Sequence, residues 1–225
     1  MSIWADCAVA CPTCHAATTM RVASGVHGSR VPEVRAAVLA RTFHRATCGG
    51  CGAVLAVDRT FLYTDLERGH WVLVIAADQV SAWRRWERAV QDSVTRGFAL
   101  GSPLAEAATP RLVRVVIGTE GLREKLVLWQ HGLDDGLVEC AKLRLVAGQP
   151  ARAAPGAALV VDAVTADGGL AVDWWPAPAG PPARRLVLTV DDLAACDRDR
   201  AALRARFPEL FAGGLVGLMR TGILG

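Results

Sequence analysis

The sequence lacks any long apolar run. Of its 225 residues, 52% are hydrophobic and 21% are charged, a composition that can bury a sizeable core in one or two domains. Its longest apolar stretches, such as WVLVIAA at 71–77, are far shorter than the ~20 residues that a membrane-spanning helix requires. We therefore expect an ordinary globular protein with no transmembrane helix.

The sequence also lacks a strong excess of charge. Its 25 basic residues, almost all arginine, stand against 22 acidic residues, which leaves a formal net charge of +3. This balance does not favour electrostatic binding to nucleic acid or to anionic lipid. The N-terminus has no basic leader, and its first cysteine pair lies where a signal peptide would be cleaved. We expect a cytoplasmic protein whose partner is another protein.

Recognisable catalytic motifs are missing as well. The sequence contains no phosphate-binding loop, no nucleophile elbow and no H-x-E signature of a zinc deaminase. The sequence therefore nominates no catalytic and no cofactor-binding residues. We expect a non-enzymatic adaptor or regulatory subunit.

Cysteine is what the chain does have. Four of its seven cysteines form two C-x2-C pairs, Cys11–Cys14 and Cys48–Cys51. This spacing lets two thiolates reach one ion from a single tight turn, and two such turns give a closed tetrahedral site. In a reducing compartment, metal binding explains paired cysteines better than a disulfide framework does. We predict a structural Zn²⁺ site with Cys11, Cys14, Cys48 and Cys51 as its ligands.

The residues within the two pairs suit tight turns. Proline at position 12 has a fixed φ, and we expect Gly49, Gly50 and Gly52 to give the second turn a close, left-handed path. The pairs are separated by positions 15 to 47, which is 33 residues, against a usual ~15 to 20. The extra length should fold as an insertion, with a short helix opened by Pro32 and then a strand.

Other interpretations of the cysteines stay open. A thioredoxin-like redox motif would use only one pair, and four thiolates leave no open position for a catalytic zinc. Four thiolates bind iron as well as zinc. Cys7 or His15 can replace a ligand, although four cysteines already complete the site. Cys140 and Cys196 lie at apolar positions of predicted helices and should be buried as small hydrophobes.

Hydrophobic patterning predicts an α+β fold over the rest of the chain. It predicts two or three strands within 53–76, with a turn at ERGH, and a further strand at RLVRVVIG. It also predicts three helices. The first is amphipathic, covers 81–98 and is capped by Ser81; the second is capped by Thr119 and stopped by Gly132; the third is capped by Asp134.

A linker signal follows these elements. The stretch AGQPARAAPGAA at 147–158 is rich in proline, alanine and glycine. Beyond it we expect strands at ALVVDAV, LAVDWW and RRLVLTV and one helix from about Asp191 to Phe207. The predicted domains are therefore 1–147 and 157–225. In the first, a zinc-ribbon-like four-cysteine site organises an antiparallel sheet with packed helices, and the second is a smaller C-terminal α+β unit.

Several stretches in order resemble one protein family. They are the two cysteine pairs with proline after the first cysteine, then VPEVRAAVLARTFHRATCGGCGA, FLYTDLERGHWVLV and GLREKLVLWQHGLDDGLVECAKLRL. Over roughly residues 7 to 146 the chain resembles the CpXC family of bacterial and archaeal proteins. The resemblance implies that Cys11, Cys14, Cys48 and Cys51 are the family's cysteines, and it implies no catalytic residue. Glycine stands at 49 where the family often has proline.

Three other residue sets offer alternative functions. Arg84, Arg85 and Arg88, with Trp83 and Trp86, suggest a helix that stacks on bases and binds phosphate. Helical geometry places these arginines away from the tryptophans, so we expect tryptophan in the core and arginine in solvent. Nucleic-acid binding by a zinc ribbon is the second hypothesis for function.

Two of the three sets are acidic and suggest enzymes. Asp134, Asp135 and Glu139 can act as an acid/base or hard-metal cluster, but Asp near a helix N-terminus is ordinary capping. Asp65 and His70 flank a predicted turn and can form a dyad. An enzyme that uses a carboxylate or histidine site formed by the fold is the third hypothesis.

Overall fold

The computed structural model describes residues 2–147, 157–176 and 182–221. Over these residues the fold is mixed α+β, as the patterning predicts. The strands are β1 Ile3–Ala10, β2 Ala17–His27, β3 Arg45–Thr47, β4 Val54–Ala56, β5 Phe61–Asp65, β6 His70–Ile75, β7 Leu112–Ile117, β8 Ala158–Val164, β9 Leu170–Trp175 and β10 Arg184–Leu188. The helices are α1 Pro32–Leu39, α2 Trp83–Gly97, α3 Gly118–Gln130, α4 Asp135–Val146, α5 Val190–Arg198 and α6 Arg200–Arg206. No described helix is both long and apolar enough to cross a bilayer.

The chain divides into two compact units, Met1–Arg123 and Glu124–Gly225. The predicted linker lies largely on residues 148–156, which are outside the described residues. The predicted domains 1–147 and 157–225 therefore remain a prediction.

The first unit contains a five-stranded sheet with the order β1-β2-β5-β6-β7. The pairs β1/β2 and β5/β6 are antiparallel, whereas β2/β5 and β6/β7 are parallel. The antiparallel sheet predicted from the sequence is thus wrong for two pairings. Parallel neighbours need a long crossover connection, and the segments that carry α1 and α2 supply these crossovers. A separate two-stranded sheet pairs β3 with β4.

Of the helices that begin in the first unit, α1 begins as predicted, whereas α3 begins at Gly118, before its predicted cap Thr119. Pro32 occupies the first turn of α1, and Val34 and Val38 are its buried side chains. The predicted cap of α2 is wrong, because Ala82 is the N-cap residue and makes no side-chain cap bond. A 3₁₀ turn at Ala77–Ala82 leads into the helix instead. Val90 is the buried residue of the apolar stripe on α2.

The second unit pairs β10, β9 and β8 in an antiparallel sheet. The Asp134 side chain caps α4 by accepting hydrogen bonds from the N–H groups of Gly136 and Leu137. The single helix predicted from Asp191 to Phe207 is two helices, because α5 ends at Arg198 and α6 begins at Arg200. Gly132, with φ +69°, follows the end of α3, which is the conformation that glycine adopts without steric cost.

Five ionisable side chains are buried together in the second unit. Lys142 Nζ donates to Glu124 Oε2 at 2.7 Å and to Glu139 Oε1 at 2.8 Å. Lys125 Nζ lies 3.4 Å from Glu139 Oε1 and 3.7 Å from Asp135 Oδ2. Each of these five residues is at most 5% exposed. Buried charges of this kind persist only when they are paired and hydrogen-bonded.

The pKa values of the two glutamates respond to this pairing in opposite directions. Burial opposes the charge of Glu124, but the ammonium groups of Lys142 and Lys125 outweigh burial and hold its pKa below the usual value. The N–H of Val161 also donates to Glu124 Oε2, at 2.6 Å. Burial dominates at Glu139 and raises its pKa. Of the two glutamates, Glu124 is therefore the one that this network holds ionised more firmly.

Removing Lys142 tests how far the second unit depends on this network. The variant Lys142→Met leaves both glutamates without their closest cation, so we expect a loss of about 3–5 kcal/mol in the free energy of unfolding. Urea denaturation at pH 7 measures it. The control Arg198→Met removes the same charge from an exposed position of α5 and should change stability by less than about 0.5 kcal/mol. Equal stability of the two variants would contradict a structural role for the network.

Candidate metal centre

Two hairpins carry the two cysteine pairs. Cys11 and Cys14 lie in the turn between β1 and β2, and Cys48 and Cys51 lie in the turn between β3 and β4. Both hairpins are antiparallel, with Ala10 opposite Ala17 in the first and Thr47 opposite Val54 in the second. The register of each hairpin therefore holds its cysteine pair at the tip of the loop.

The two turns have the same hydrogen-bond pattern. In each, the first cysteine accepts at its carbonyl from the residue four positions later and donates its N–H to the carbonyl five positions later. The bonds are His15 N to Cys11 O at 2.9 Å, Cys11 N to Ala16 O at 3.0 Å, Gly52 N to Cys48 O at 2.9 Å and Cys48 N to Ala53 O at 2.8 Å. One backbone geometry is thus used twice.

The fourth residue after the first cysteine is left-handed in both turns. His15 has φ +59° and Gly52 has φ +76°. Glycine adopts this region without steric cost, whereas an L-residue such as His15 is strained there by about 1–2 kcal/mol. Gly49 and Gly50 are not among the positive-φ residues, so the predicted left-handed role is confirmed only for Gly52. The restriction at Gly50 is steric instead, because a Cβ there would lie 3.3 Å from Cys14 Sγ.

The four sulfur atoms form one cluster. All of them lie within 4.8 Å of one another, with Cys11 Sγ 3.6 Å from Cys51 Sγ and Cys14 Sγ 3.5 Å from Cys48 Sγ. These separations exceed the ~2.05 Å of a disulfide bond, and all four cysteines are free. A tetrahedron with metal–sulfur bonds of about 2.3 Å has edges of about 3.8 Å. The four cysteines can therefore hold a metal ion, and they fit a tetrahedral one.

Two of the sulfurs are shielded and two face solvent. Cys11 and Cys48 are 0% and 2% exposed, whereas Cys14 and Cys51 are exposed. The backbone N–H groups of Cys14 and Thr13 stabilise the Cys11 thiolate and lower its pKa to about 6. The corresponding N–H groups of Gly50 and Cys51 lower the pKa of Cys48. Each buried sulfur thus receives the backbone donors that a thiolate ligand requires.

Without a bound cation, the four thiols of the cluster do not all ionise readily. The N–H of Ala53 stabilises a thiolate at Cys51, but the neighbouring sulfurs of Cys14 and Cys11 outweigh it and raise the pKa of Cys51 to about 12. Like charges at this spacing oppose one another. A cation that bound all four sulfurs would remove this opposition, because a metal ion binds the deprotonated thiol. The donor set and its electrostatics both suit a divalent cation.

A small apolar core backs the cluster. The buried residues Cys11 and Cys48 pack with Met20, Val22 and Leu55 from β2 and β4. Both hairpins contribute side chains to this core. The sulfur cluster and the core therefore join the same two hairpins.

The alternative ligands lie outside the cluster. Cys7 is half-buried and its Sγ contacts the carbonyl of Ala8 at 3.9 Å, and His15 is exposed. Within the described residues, the four cysteines are the one group of three or more Cys, His or acidic side chains placed to hold a metal. Cys140 and Cys196 are 3% and 2% exposed, as expected for small buried hydrophobes.

The acidic sets are engaged in structural contacts. Asp65 is fully buried and accepts hydrogen bonds from the Ser29 hydroxyl at 3.0 Å and from Arg68 Nη1 at 3.0 Å. His70 lies opposite Asp65 in the β5/β6 register, and burial lowers its pKa to about 4. Asp134 caps α4 and accepts from Arg200 Nη1 at 2.7 Å. Asp135 and Glu139 belong to the buried charge network described above.

The arginines of α2 are exposed, but they do not all point away from the tryptophans. The Arg84 guanidinium lies 4.5 Å from the Trp83 ring centre, and that of Arg85 lies 5.5 Å from the Trp86 ring centre. The expected separation is wrong for these two pairs, because a long arginine side chain can fold back over an adjacent ring. Each pair is within the distance of a cation–π contact.

The comparison with protein families agrees with these residues. The sequence model of the family described as CpXC protein matches residues 9–142, more than half of the 225 residues. The chain belongs to the CpXC family. No curated protein and no solved structure matches the chain.

Gly49 and Gly52 provide a matched pair of substitutions. A Cβ at either position would meet nothing within 4 Å, but only Gly52 has a positive φ. We therefore expect Gly52→Ala to destabilise the protein by about 1–2 kcal/mol. Gly49→Ala should be neutral or stabilising by up to about 1 kcal/mol, because it reduces the entropy of the unfolded chain. Thermal denaturation of the two variants measures the difference, and identical shifts would show that the left-handed turn is not required.

Proposed function

We propose that this CpXC protein binds one zinc ion through Cys11, Cys14, Cys48 and Cys51 and that the zinc is structural. The sulfur separations of 3.5 and 3.6 Å carry this proposal, since they fit a closed tetrahedral site. When bound, the ion would cross-link two hairpins that also share a small apolar core. Four thiolate ligands leave no open position for a substrate.

The arrangement supports a zinc-ribbon-like centre. In such a centre each C-x2-C pair lies at the tip of a hairpin, and the ion joins the two tips. The repeated hydrogen-bond pattern at Cys11 and Cys48 is what allows two separate hairpins to present equivalent sulfurs. We infer that zinc, and not iron, occupies this site. Four thiolates bind either ion, so metal analysis is the measurement that distinguishes them.

We further propose that the chain acts without catalysis, as an adaptor or regulatory subunit that binds another protein in the bacterial cytoplasm. Support comes from the contacts of the acidic side chains that an enzyme would need as general acids or bases, because these contacts are structural. Asp65 is saturated by Ser29 and Arg68, and Asp134 is a helix cap. Glu139 is 3% exposed and bonded to Lys142. Groups in such contacts are poorly placed to transfer protons to a substrate.

Nucleic-acid binding is the second candidate, and the two arginine–tryptophan pairs of α2 favour it. It requires Arg21, Arg41, Arg45 and Arg59 to join the α2 arginines in one basic patch. Arg41 and Arg45 pair with Glu120, at 2.9 and 3.7 Å, and Arg21 lies over Trp4. Acidic neighbours reduce the positive potential that phosphate binding needs. The ion pairs of Arg41 and Arg45 therefore weaken the case for nucleic-acid binding.

The metal proposal predicts one zinc per chain and a strong dependence of folding on it. Structural zinc contributes an apparent 10–16 kcal/mol or so in small peptides, comparable with the ~5–15 kcal/mol that stabilises a whole domain. Cys48→Ser should therefore lose the metal and the cooperative unfolding of the first unit. Elemental analysis of the purified protein and thermal denaturation measure these effects.

The matched control is Cys7→Ser. Cys7 packs beside the core of the centre but lies outside the sulfur cluster, so this variant should keep one zinc and melt close to the parent. Iron in place of zinc, or well below one metal per chain, would refute the metal proposal. A Cys48→Ser variant that melts like Cys7→Ser would refute its structural role.

The adaptor proposal predicts the recovery of a specific protein when the tagged chain is isolated from its native cell. Cys48→Ser should lose that partner while Cys7→Ser keeps it, because the metal holds the recognised surface in shape.

A nucleic-acid binder with about 6–10 phosphate contacts loses about 10³ to 10⁵ in affinity between roughly 50 and 200 mM salt. We expect only weak binding to DNA and RNA at physiological salt. Sub-micromolar binding at that salt would reverse the ranking, and a pull-down without any enriched protein would favour an enzyme.

A further inference from the structure

The second unit contains an apolar cavity on one side of α4. The cavity has a volume of about 400 Å³ and is lined by residues of α4, α5 and α6 and by Phe207. This volume lies near the lower end of the ~300–1,000 Å³ that is typical of sites for small organic molecules. None of the residues of the four-cysteine cluster takes part in it.

Hydrophobic groups make up most of the cavity wall. Leu143 from α4, Leu203 from α6 and Phe207 are half-buried and line it. Cys140 and Cys196 complete this wall with side chains that are 3% and 2% exposed. Burial raises the pKa of both cysteines, to about 12 for Cys140, so both thiols stay protonated and behave as apolar groups. A hydrocarbon chain is the chemistry that such a wall accommodates.

The charged residues of the lining are both arginines, Arg144 and Arg206. The Arg144 side chain is held by Asp192, with Nη1 donating to Oδ1 at 3.3 Å. The Arg206 guanidinium lies 5.1 Å from the centre of the Phe207 ring, which places its charge beside the apolar wall, and Arg206 is exposed. The cavity therefore combines a hydrophobic interior with cationic groups that also reach water.

We propose that this cavity binds a single-chain amphiphile with an anionic head group, such as a medium-chain carboxylate. The hydrocarbon chain lies against Leu143, Leu203 and Phe207, where it is removed from water. The carboxylate pairs with Arg206, because guanidinium groups bind carboxylates in a planar, two-point geometry. Arg144 is already paired with Asp192, so Arg206 is the cation of the lining that binds the carboxylate.

The head-group charge separates this proposal from simple hydrophobic binding. An apolar cleft alone would accept any amphiphile of the right length, whereas cationic groups in the lining favour anionic ones. Decanoate and decyltrimethylammonium have alkyl chains of nearly equal length and carry opposite charges. The proposal requires decanoate to bind at least about 10-fold more tightly than the cation.

Isothermal titration of the full-length, metal-loaded protein with sodium decanoate, below micelle formation, tests the site. We expect saturable binding of one decanoate per chain. Hexanoate has four fewer methylenes and should bind on the order of 100-fold more weakly, because each buried methylene strengthens binding. No saturable binding of decanoate, or equal binding of decanoate and decyltrimethylammonium, would overturn the proposal.

Two variants and one control locate the binding to this cavity. Arg206→Glu should weaken decanoate binding about 10-fold and reduce the preference over the cation. Arg184→Glu makes the same charge change at an exposed position of β10 and should leave binding unchanged. Leu203→Trp fills the cavity and should abolish binding, with an unchanged circular dichroism spectrum as the check on folding. If Arg206→Glu and Arg184→Glu bind decanoate equally, the ligand lies elsewhere and the assignment is wrong.

Discussion

The close spacing of four sulfur atoms is the constraint that governs the two cysteine-bearing hairpins of the first unit. The sulfurs lie within 4.8 Å of one another, so each thiolate formed makes the next one more costly. The backbone donors of the two turns stabilise the first charges, at Cys11 and Cys48, but the neighbouring sulfurs oppose a charge at Cys51. A bound metal ion would resolve this conflict, and the geometry of both hairpins is compatible with one.

The two units stabilise their buried ionisable groups in different ways. In the first, the buried sulfurs are surrounded by backbone N–H groups and by the apolar side chains of Met20, Val22 and Leu55. In the second, Lys142 and Lys125 neutralise carboxylates that water does not reach. Such a network contributes little net stability, but it becomes very costly when one member is removed. Both solutions make local stability depend on a complete set of partners.

The sequence was most informative where the chain spacing alone decides the chemistry. Two C-x2-C pairs predict a shared cluster because each spacing places its two sulfurs on one turn, and the structure brings all four together. Asp134 and Gly132 likewise predicted the boundaries between α3 and α4, since capping and left-handed glycine are local effects. The left-handed backbone at His15 gave no such signal, because its neighbours rather than its residue type impose it.

Long-range pairing was the part that the sequence did not reveal. The strands β1 and β2 contain many small residues and no strong alternation, so patterning did not predict them. The parallel pairings of β2 with β5 and of β6 with β7 arise from crossovers that no local signal specifies. The cavity in the second unit was equally hidden, since Leu143, Leu203 and Phe207 are ordinary apolar positions until the fold brings α4 and the end of α6 together.

Two sulfurs of the cluster are buried and two are exposed, so one side of the cluster faces solvent. Cys11 and Cys48 are shielded, so a chelator, an oxidant or a competing metal can approach only from the side of Cys14 and Cys51. The affinity for a bound ion would depend on all four sulfurs, whereas the rate of its exchange would depend on the exposed pair. Two forms of the protein with equal metal affinity could therefore differ greatly in how long they retain the ion, according to what covers that side.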